Sequence, residues 1–175
     1  MPNCNAIVGI PGNCDDNNVG SIKTAWIASY DDVTSYTAST GSEVTAITMD
    51  GATLFEEFSF KKNTSNYTEN WMGDLTADVH LWTQSIVLGL RRIEVSKRNA
   101  ISLLAEGRRN LIIIVLDNNG QYRIFGLDDG LRLSAMESGT NETRAAGTFY
   151  TITFTGEEKW MAYDFDGSLL AAITA

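Results

Sequence analysis

The sequence predicts a mainly β protein, a β-sandwich or barrel with one central α-helix packed on it. Short segments that alternate apolar and polar residues recur along most of the chain, and Gly, Asn and Asp turns separate them. One stretch, near 94–106, has the spacing of apolar residues that a helix requires. With 175 residues and a 43% hydrophobic share, the chain is long enough for one domain with a core of its own.

The predicted strands are short runs rich in β-branched and aromatic residues. They span 22–28, 44–49, 53–60, 67–72, 78–90, 111–116, 122–125, 131–136, 149–155 and 160–165. The apolar run from Leu111 to Leu116 is continuous, which predicts a strand buried on both faces. The run 78–90 is long for one strand, so we expect a bulge or bend near Gly89.

Turn residues predict how neighbouring strands are connected. The Asp-Gly pair at 50–51 predicts a hairpin between the strands on either side of it. The segment 117–120, Asp-Asn-Asn-Gly, predicts a type I′ hairpin turn, because Asn and Gly tolerate the positive φ angles that this turn needs. A short Gly-Asp connection at 73–74 predicts a second, longer hairpin that spans 67–90.

The helix is expected from about 94 to 106. Ser96 is a suitable N-cap, Ile101 and Leu104 form an apolar stripe, and Gly107 is the residue expected just beyond a helix C-terminus. The chain then divides into an N-terminal arm, a β domain that includes the helix, and a C-terminal strand or arm. These three parts are 1–20, 21–156 and 157–175.

Residues that carry chemistry are scarce. His80 is the single histidine and lies within a predicted strand, and no Ser/His/Asp or Cys/His arrangement accompanies it. Cys4 and Cys14 together with His80 fall short of the four ligands of a structural zinc site. The two cysteines are expected either to close a local loop or to be unrelated thiols. We therefore expect no enzyme activity, no cofactor and no metal.

The charge of the chain is unevenly distributed. The net charge is −9, but six basic residues against two acidic ones give the segment 91–109 a charge of +4, which leaves −13 for the remainder. An acidic surface repels phosphate and argues against tight nucleic-acid binding. No apolar run is long enough to span a membrane, and the N-terminus lacks the features of a secretory signal. We expect synthesis in a cytosol and no membrane partner.

Several segments follow one another in a recognisable order. A stretch with Cys4 and Cys14 comes first, a long hairpin precedes the helix, and a buried strand leads into the turn at 117–120. The segment 147–158, Gly-Thr-Phe-Tyr-Thr-Ile-Thr-Phe-Thr-Gly-Glu-Glu, closes the series. This order resembles the tail-tube proteins of tailed phages, especially the short ones of phages that infect Bacteroidetes, including crAss-like phages. The resemblance spans nearly the whole chain and is sharpest in 147–158.

The resemblance implies a structural protein of the virion, located in the tail and synthesised in the cytoplasm of a host bacterium. It implies a hexameric ring in which every subunit contributes strands to one inner β-barrel, with the rings stacked into a conduit for DNA. The implied partners are copies of the chain itself, other tail or connector proteins, and genomic DNA that crosses an electronegative lumen without tight binding. The acidic remainder of the chain suits such a lumen.

The long hairpin is the first candidate for contacts between subunits. Pairing of strand edges around a ring satisfies backbone groups that would otherwise invite aggregation. The candidate interface residues are large side chains of the hairpin and the two arginines that follow it, namely Tyr67, Trp71, Met72, Trp82, Arg91 and Arg92. The alternative is that Trp71, Met72 and Trp82 fill the core of the subunit itself.

Two further functions fit the same sequence. A head–tail connector ring would have the same fold and differ in its copy number in the particle. A carbohydrate-binding β-sandwich would stack exposed tryptophans against sugars, for which Trp26, Trp71, Trp82 and Trp160 are candidates.

Overall fold

The computed structural model of the chain describes residues 19–39, 42–51, 53–60, 63–74, 79–91, 94–106, 109–140, 142 and 147–174. These residues form a mainly β structure, which confirms the predicted class at that level. Residues 1–18, with Cys4 and Cys14, lie outside the described residues, and so do Arg92 and Gly107.

The described residues form strands and helices in the following order along the chain. The strands are β1 (Ile22–Ser29), β2 (Val33–Ala38), β3 (Glu43–Met49), β4 (Glu56–Ser59), β5 (Asn66–Asp74), β6 (Val79–Arg91), β7 (Leu111–Asp117), β8 (Tyr122–Phe125), β9 (Arg132–Thr140), β10 (Thr148–Glu158) and β11 (Tyr163–Phe165). The α-helices are α1 (Val95–Glu106) and α2 (Leu170–Ile173).

The strands belong to two sheets that pack face to face around a shared core. Seven strands form the larger sheet in the order β2-β3-β11-β8-β7-β1-β4, and four form the smaller sheet in the order β5-β6-β10-β9. Neighbouring strands of the smaller sheet are all antiparallel, and β5 with β6 forms the long hairpin that the sequence predicts.

The larger sheet is covered on both faces, as β7 shows. Ile113 and Val115 point into the core between the sheets, whereas Ile112 and Ile114 point into a second core on the opposite face. All four side chains are buried, so the predicted burial of this strand on both faces is confirmed. Burial of each such side chain stabilises the fold by about 1.5–3 kcal/mol.

The C-terminal residues close the second core. β11 lies between β3 and β8 in the larger sheet, and Phe165 and Ile173 are buried beside Phe55. The backbone N–H of Phe55 donates to the carbonyl of Ile173 at 2.8 Å. The described part of the segment predicted as a strand or arm at 157–175 therefore packs on its own domain.

The hairpin predicted at 50–51 is wrong. β3 pairs with β2 and β11, whereas β4 pairs with β1. Gly51 does adopt a positive φ of 43°, but Phe55 follows it and is fully buried in the second core. Because Phe55 anchors the chain under the sheet, the next residues emerge beside β1 instead of beside β3.

The turn between β7 and β8 lies where it was predicted but has another conformation. Gly120 has a φ of 83°, whereas neither central residue of the turn, Asn118 or Asn119, has the positive φ that type I′ requires. The Asp117 carboxylate accepts the backbone N–H groups of Asn119 and Gln121, at 2.8 and 2.9 Å. These bonds favour a type I turn followed by a left-handed glycine.

The bulge predicted near Gly89 is absent. β6 pairs with β5 and β10 without a shift in register. Gly89 has a different role, because a Cβ at this position would lie 2.7 Å from the carbonyl oxygen of Thr64. The glycine thus permits close approach of two chain segments.

Candidate subunit interface

The smaller sheet has two edges of matching length. β5 and β9 are its outer strands, and each has nine residues. Neither contains a lysine or a proline, the residues that commonly protect edges from pairing with another chain. Because two strands, β6 and β10, lie between the edge strands and every neighbouring pair is antiparallel, β5 and β9 run in opposite directions. A β9 edge can therefore pair in antiparallel fashion with the β5 edge of another copy that has the same orientation.

The face of the smaller sheet that points away from the larger sheet is polar, and we call it the outward face. Strand alternation and the observed register place hydroxyl side chains along its middle. The residues at its centre are Thr68, Asn70, Thr83, Ser85, Val87, Thr151, Thr153 and Thr155. The face can therefore contact water without further cover.

Charged side chains on the outward face are few and nearly balanced. Alternation places one more acidic than basic side chain there. They are Asp74, Glu137, Glu157, Arg91 and Arg132. The acidity of the chain is therefore not concentrated on this face, and its main character is neutral and hydroxyl-rich.

Trp71 and Met72 lie near the end of the β5–β6 hairpin and are 52% and 53% exposed. They point to opposite faces of the hairpin, and Val79 and Leu81 of β6 lie on the same face as Met72. The alternative that Trp71 and Met72 fill the core of the subunit is therefore wrong. We call this group of four side chains the hairpin tip.

The exposed ring of Trp71 is held in place. It stacks against His80, with ring centroids 6.2 Å apart and planes inclined by 25°. It also lies over Gly73, because a Cβ added to that residue would overlap the indole ring. The side chain is exposed but has a defined position, which reduces the entropy lost when it binds a partner.

The remaining predicted residues are not part of the hairpin tip. Trp82 is half-buried and pairs with Trp71 across the two strands. Tyr67 packs within the subunit, 5.1 Å from the Phe125 ring and 5.6 Å from the Arg123 guanidinium. Arg91 is exposed at the opposite end of β6. The structure thus brings Trp71, Met72 and Trp82 together and separates Arg91 from them.

A buried carboxylate positions the loop that leads into β9. Glu158 is 2% exposed and accepts the backbone N–H groups of Asp128, Asp129 and Gly130. Burial raises the pKa of Glu158, and the hydrogen bonds from these amides oppose that shift. Glu158 fixes the start of the β9 edge relative to β10.

Gln84 holds the same loop from β6. Its side-chain oxygen accepts the Gly126 N–H at 3.1 Å, and its amide group donates to the carbonyl of Trp160 at 3.2 Å. Sequence reasoning missed both anchors. The available signal was strand alternation, which places Gln84 and Glu158 at inward positions where an apolar residue would be expected.

An apolar groove lies between α1, β1 and β4, with a volume of about 650 Å³. Its walls are mainly Ile27, Leu54, Phe58, Leu103 and Leu104. Leu103 is 74% exposed. The groove is a second region of exposed apolar surface, separate from the hairpin tip.

The described part of the chain has no cluster of His, Cys, Asp or Glu side chains suited to a metal ion. None of the helices within the same residues has the length and apolar character required to cross a bilayer. Comparisons with protein-family models, with curated proteins and with solved structures find no match to this chain.

Proposed function

We propose that the chain is a structural virion protein that assembles into rings of a phage tail tube, through which DNA passes during ejection. The observation that carries the proposal is the smaller sheet. Its two edges are equal in length and opposite in direction, and neither contains a lysine or a proline. Its outward face is polar while its inner face belongs to the core.

Edge pairing between copies would join the smaller sheets into one continuous antiparallel barrel. Each copy supplies four strands, so a hexameric ring has a barrel of about 24 strands, and barrels of 16–18 strands already enclose an aqueous channel. Closure of the ring leaves no free edge in this barrel. The outward face of each sheet then lines the lumen.

The composition of that face suits a conduit that does not retain DNA. Tight binding to phosphates requires neutralisation by several lysines or arginines. The outward face has a slight acidic excess and otherwise neutral hydroxyl groups. DNA would therefore pass over a hydrated wall with weak repulsion.

Neither alternative is favoured by a specific feature of the structure. A head–tail connector ring of the same fold would use the same edges, and the copy number in the particle distinguishes it from a tube protein. Sugar stacking would require exposed tryptophans, but Trp26 is buried and Trp82 is half-buried. Trp71 and Trp160 are the exposed pair.

The test compares ring formation by the native chain and by variants of the β9 edge. Along an edge strand, backbone N–H groups alternate between pointing at the neighbouring strand and pointing away from the sheet edge. One of the two variants Glu137→Pro and Ser138→Pro therefore removes an N–H that points away from β10 and leaves the pairing with β10 intact. We expect the folded member of this pair to remain monomeric in light scattering and to form no rings by negative-stain microscopy.

The matched control uses β2, one of the two edge strands of the larger sheet, with Tyr36→Pro and Thr37→Pro in its regularly paired part. We expect the folded member of that pair to form rings as the native chain does. A native chain that remains monomeric at every concentration, or that binds duplex DNA tightly at physiological salt, would contradict the proposed function.

A further inference from the structure

The hairpin tip and the apolar groove lie at the same end of the sandwich. Trp82, the residue after Leu81 of the tip, pairs with Glu158 of β10. Three residues further along, Ser85 is level with Thr155, which pairs with Arg132 at the start of β9. The residue before it, Leu131, forms an antiparallel bridge with Leu111, which lines the groove.

The two features lie on opposite sides of that end. β5 packs over β8, since Tyr67 contacts Phe125 and Glu69 forms an ion pair with Arg123 at 3.7 Å. The residue before β9, Leu131, bridges to Leu111 at the start of β7. In the larger sheet β7 is followed by β1 and then by β4, and the last two strands line the groove. The hairpin tip is therefore on the β5 side and the groove on the β9 side, so one copy's own tip is separated from its groove by the width of the sandwich.

From this arrangement we propose that the hairpin tip of one copy docks in the apolar groove of the adjacent copy. The inference rests on the proposed ring. The rotation that places β5 of one subunit beside β9 of the next also brings the hairpin tip of the first subunit toward the groove of the second. The partner is a second copy of this chain. Both halves of the contact are on every subunit, as a heterologous interface that closes into a ring requires.

The chemistry of the two surfaces is complementary. The tip has apolar side chains on both of its faces, with Trp71 held over Gly73 and stacked on His80. The groove has mainly apolar walls, with Asp32, Glu56 and Arg109 also in its lining, and its volume of about 650 Å³ is within the range of pockets that enclose small molecules. Aromatic and Met side chains are the usual anchors of interface cores.

Disulfide cross-linking tests the contact directly. Met72→Cys and Leu103→Cys are made as separate chains in a Cys4→Ser, Cys14→Ser background, then mixed and oxidised under ring-forming conditions. We expect a covalent dimer that contains one chain of each kind. The matched control replaces Leu103→Cys with Val95→Cys, which is 76% exposed on the same helix but does not line the groove. The control pair should cross-link at least tenfold less.

Each outcome separates this inference from the proposed function. Rings without preferential 72–103 cross-linking overturn the docking contact and leave the ring intact. Preferential cross-linking in oligomers that have no central hole supports the docking contact and overturns the tube. A Leu103→Cys chain that retains its native cysteines and cross-links to Cys4 or Cys14 instead shows that the segment 1–18 fills the groove, which also overturns the docking contact.

Discussion

The two sheets of this chain differ in how much of each is covered. The larger sheet separates two apolar cores and has buried side chains on both faces, as in β7. The smaller sheet contributes only its inner face to a core and presents hydroxyl side chains on the other. A sheet that is covered twice is a scaffold, whereas a sheet covered once has a face and two edges that remain available for assembly.

The difference also extends to how each sheet is anchored. The larger sheet is stabilised by apolar burial that continues through the C-terminal residues to Ile173. The smaller sheet depends in addition on two buried polar side chains, Gln84 and Glu158, which fix the loop before β9. Apolar packing maintains the scaffold, and directional hydrogen bonds set the position of the proposed assembly edge.

The largest expected effect is the loss of packing in the doubly covered strand. Ile113→Ala removes a fully buried side chain of the core between the sheets and should lower the free energy of unfolding by about 2–5 kcal/mol. Thr153→Ala on the outward face, the control, should cost less than about 1 kcal/mol. Urea denaturation measures both. Similar losses for the two variants would contradict the assignment of the outward face as uncovered.

A second, smaller effect is expected at the polar anchor of the smaller sheet. Glu158→Gln replaces one carboxylate oxygen with a donor that faces the amides of Asp128, Asp129 and Gly130. Unsatisfied buried N–H groups should lower the free energy of unfolding by about 1–3 kcal/mol. Glu157→Gln, on the exposed neighbour, is the matched control and should change stability little. Hydrogen exchange at Gly130 should accelerate in the first variant alone.

The pH dependence of stability tests the same carboxyl group. The pKa of Glu158 is raised in the folded chain, mainly by burial. The folded state therefore binds more protons than the unfolded state between the ordinary glutamate pKa and the raised one, so this group's contribution to stability falls as pH increases through that window. Glu158→Gln should remove this component from the pH profile. A difference between variant and native stability that does not change across the window would contradict the raised pKa.

The sequence predicts the parts of the fold that local patterns determine. Alternation locates β6 and β10, and the continuous apolar run locates β7 with both faces buried. The hairpin wrongly predicted at 50–51 shows that local patterns do not determine which strands pair. Phe55 is buried in the second core against Ile173, which is more than a hundred residues away in the sequence. The sequence names Trp71 as an interface candidate but leaves open whether it fills the core, and the structure shows that it is exposed. The groove cannot be predicted from local patterns, because Leu54 and Leu103 come from distant segments.

The smallest expected effect concerns the position of one exposed ring. Gly73→Ala introduces a Cβ that would overlap the indole of Trp71, so the ring must leave its place over residue 73 and its stack on His80. We expect a change in unfolding free energy below about 1 kcal/mol, because the site is at the exposed end of an edge strand. The His80 ring protons should lose the NMR shift caused by the indole ring.

Gly139→Ala is the matched control for that change, since a Cβ there meets Phe149 at an ordinary contact distance of 3.4 Å and should leave the His80 signals unchanged. If the docking contact requires a Trp71 ring fixed in advance, Gly73→Ala should also reduce 72–103 cross-linking, while Gly139→Ala should not. Unaltered His80 signals in Gly73→Ala would mean that the tip holds no defined conformation before assembly. The larger sheet would then be rigid throughout, whereas the smaller sheet would have a tip that becomes ordered only on assembly.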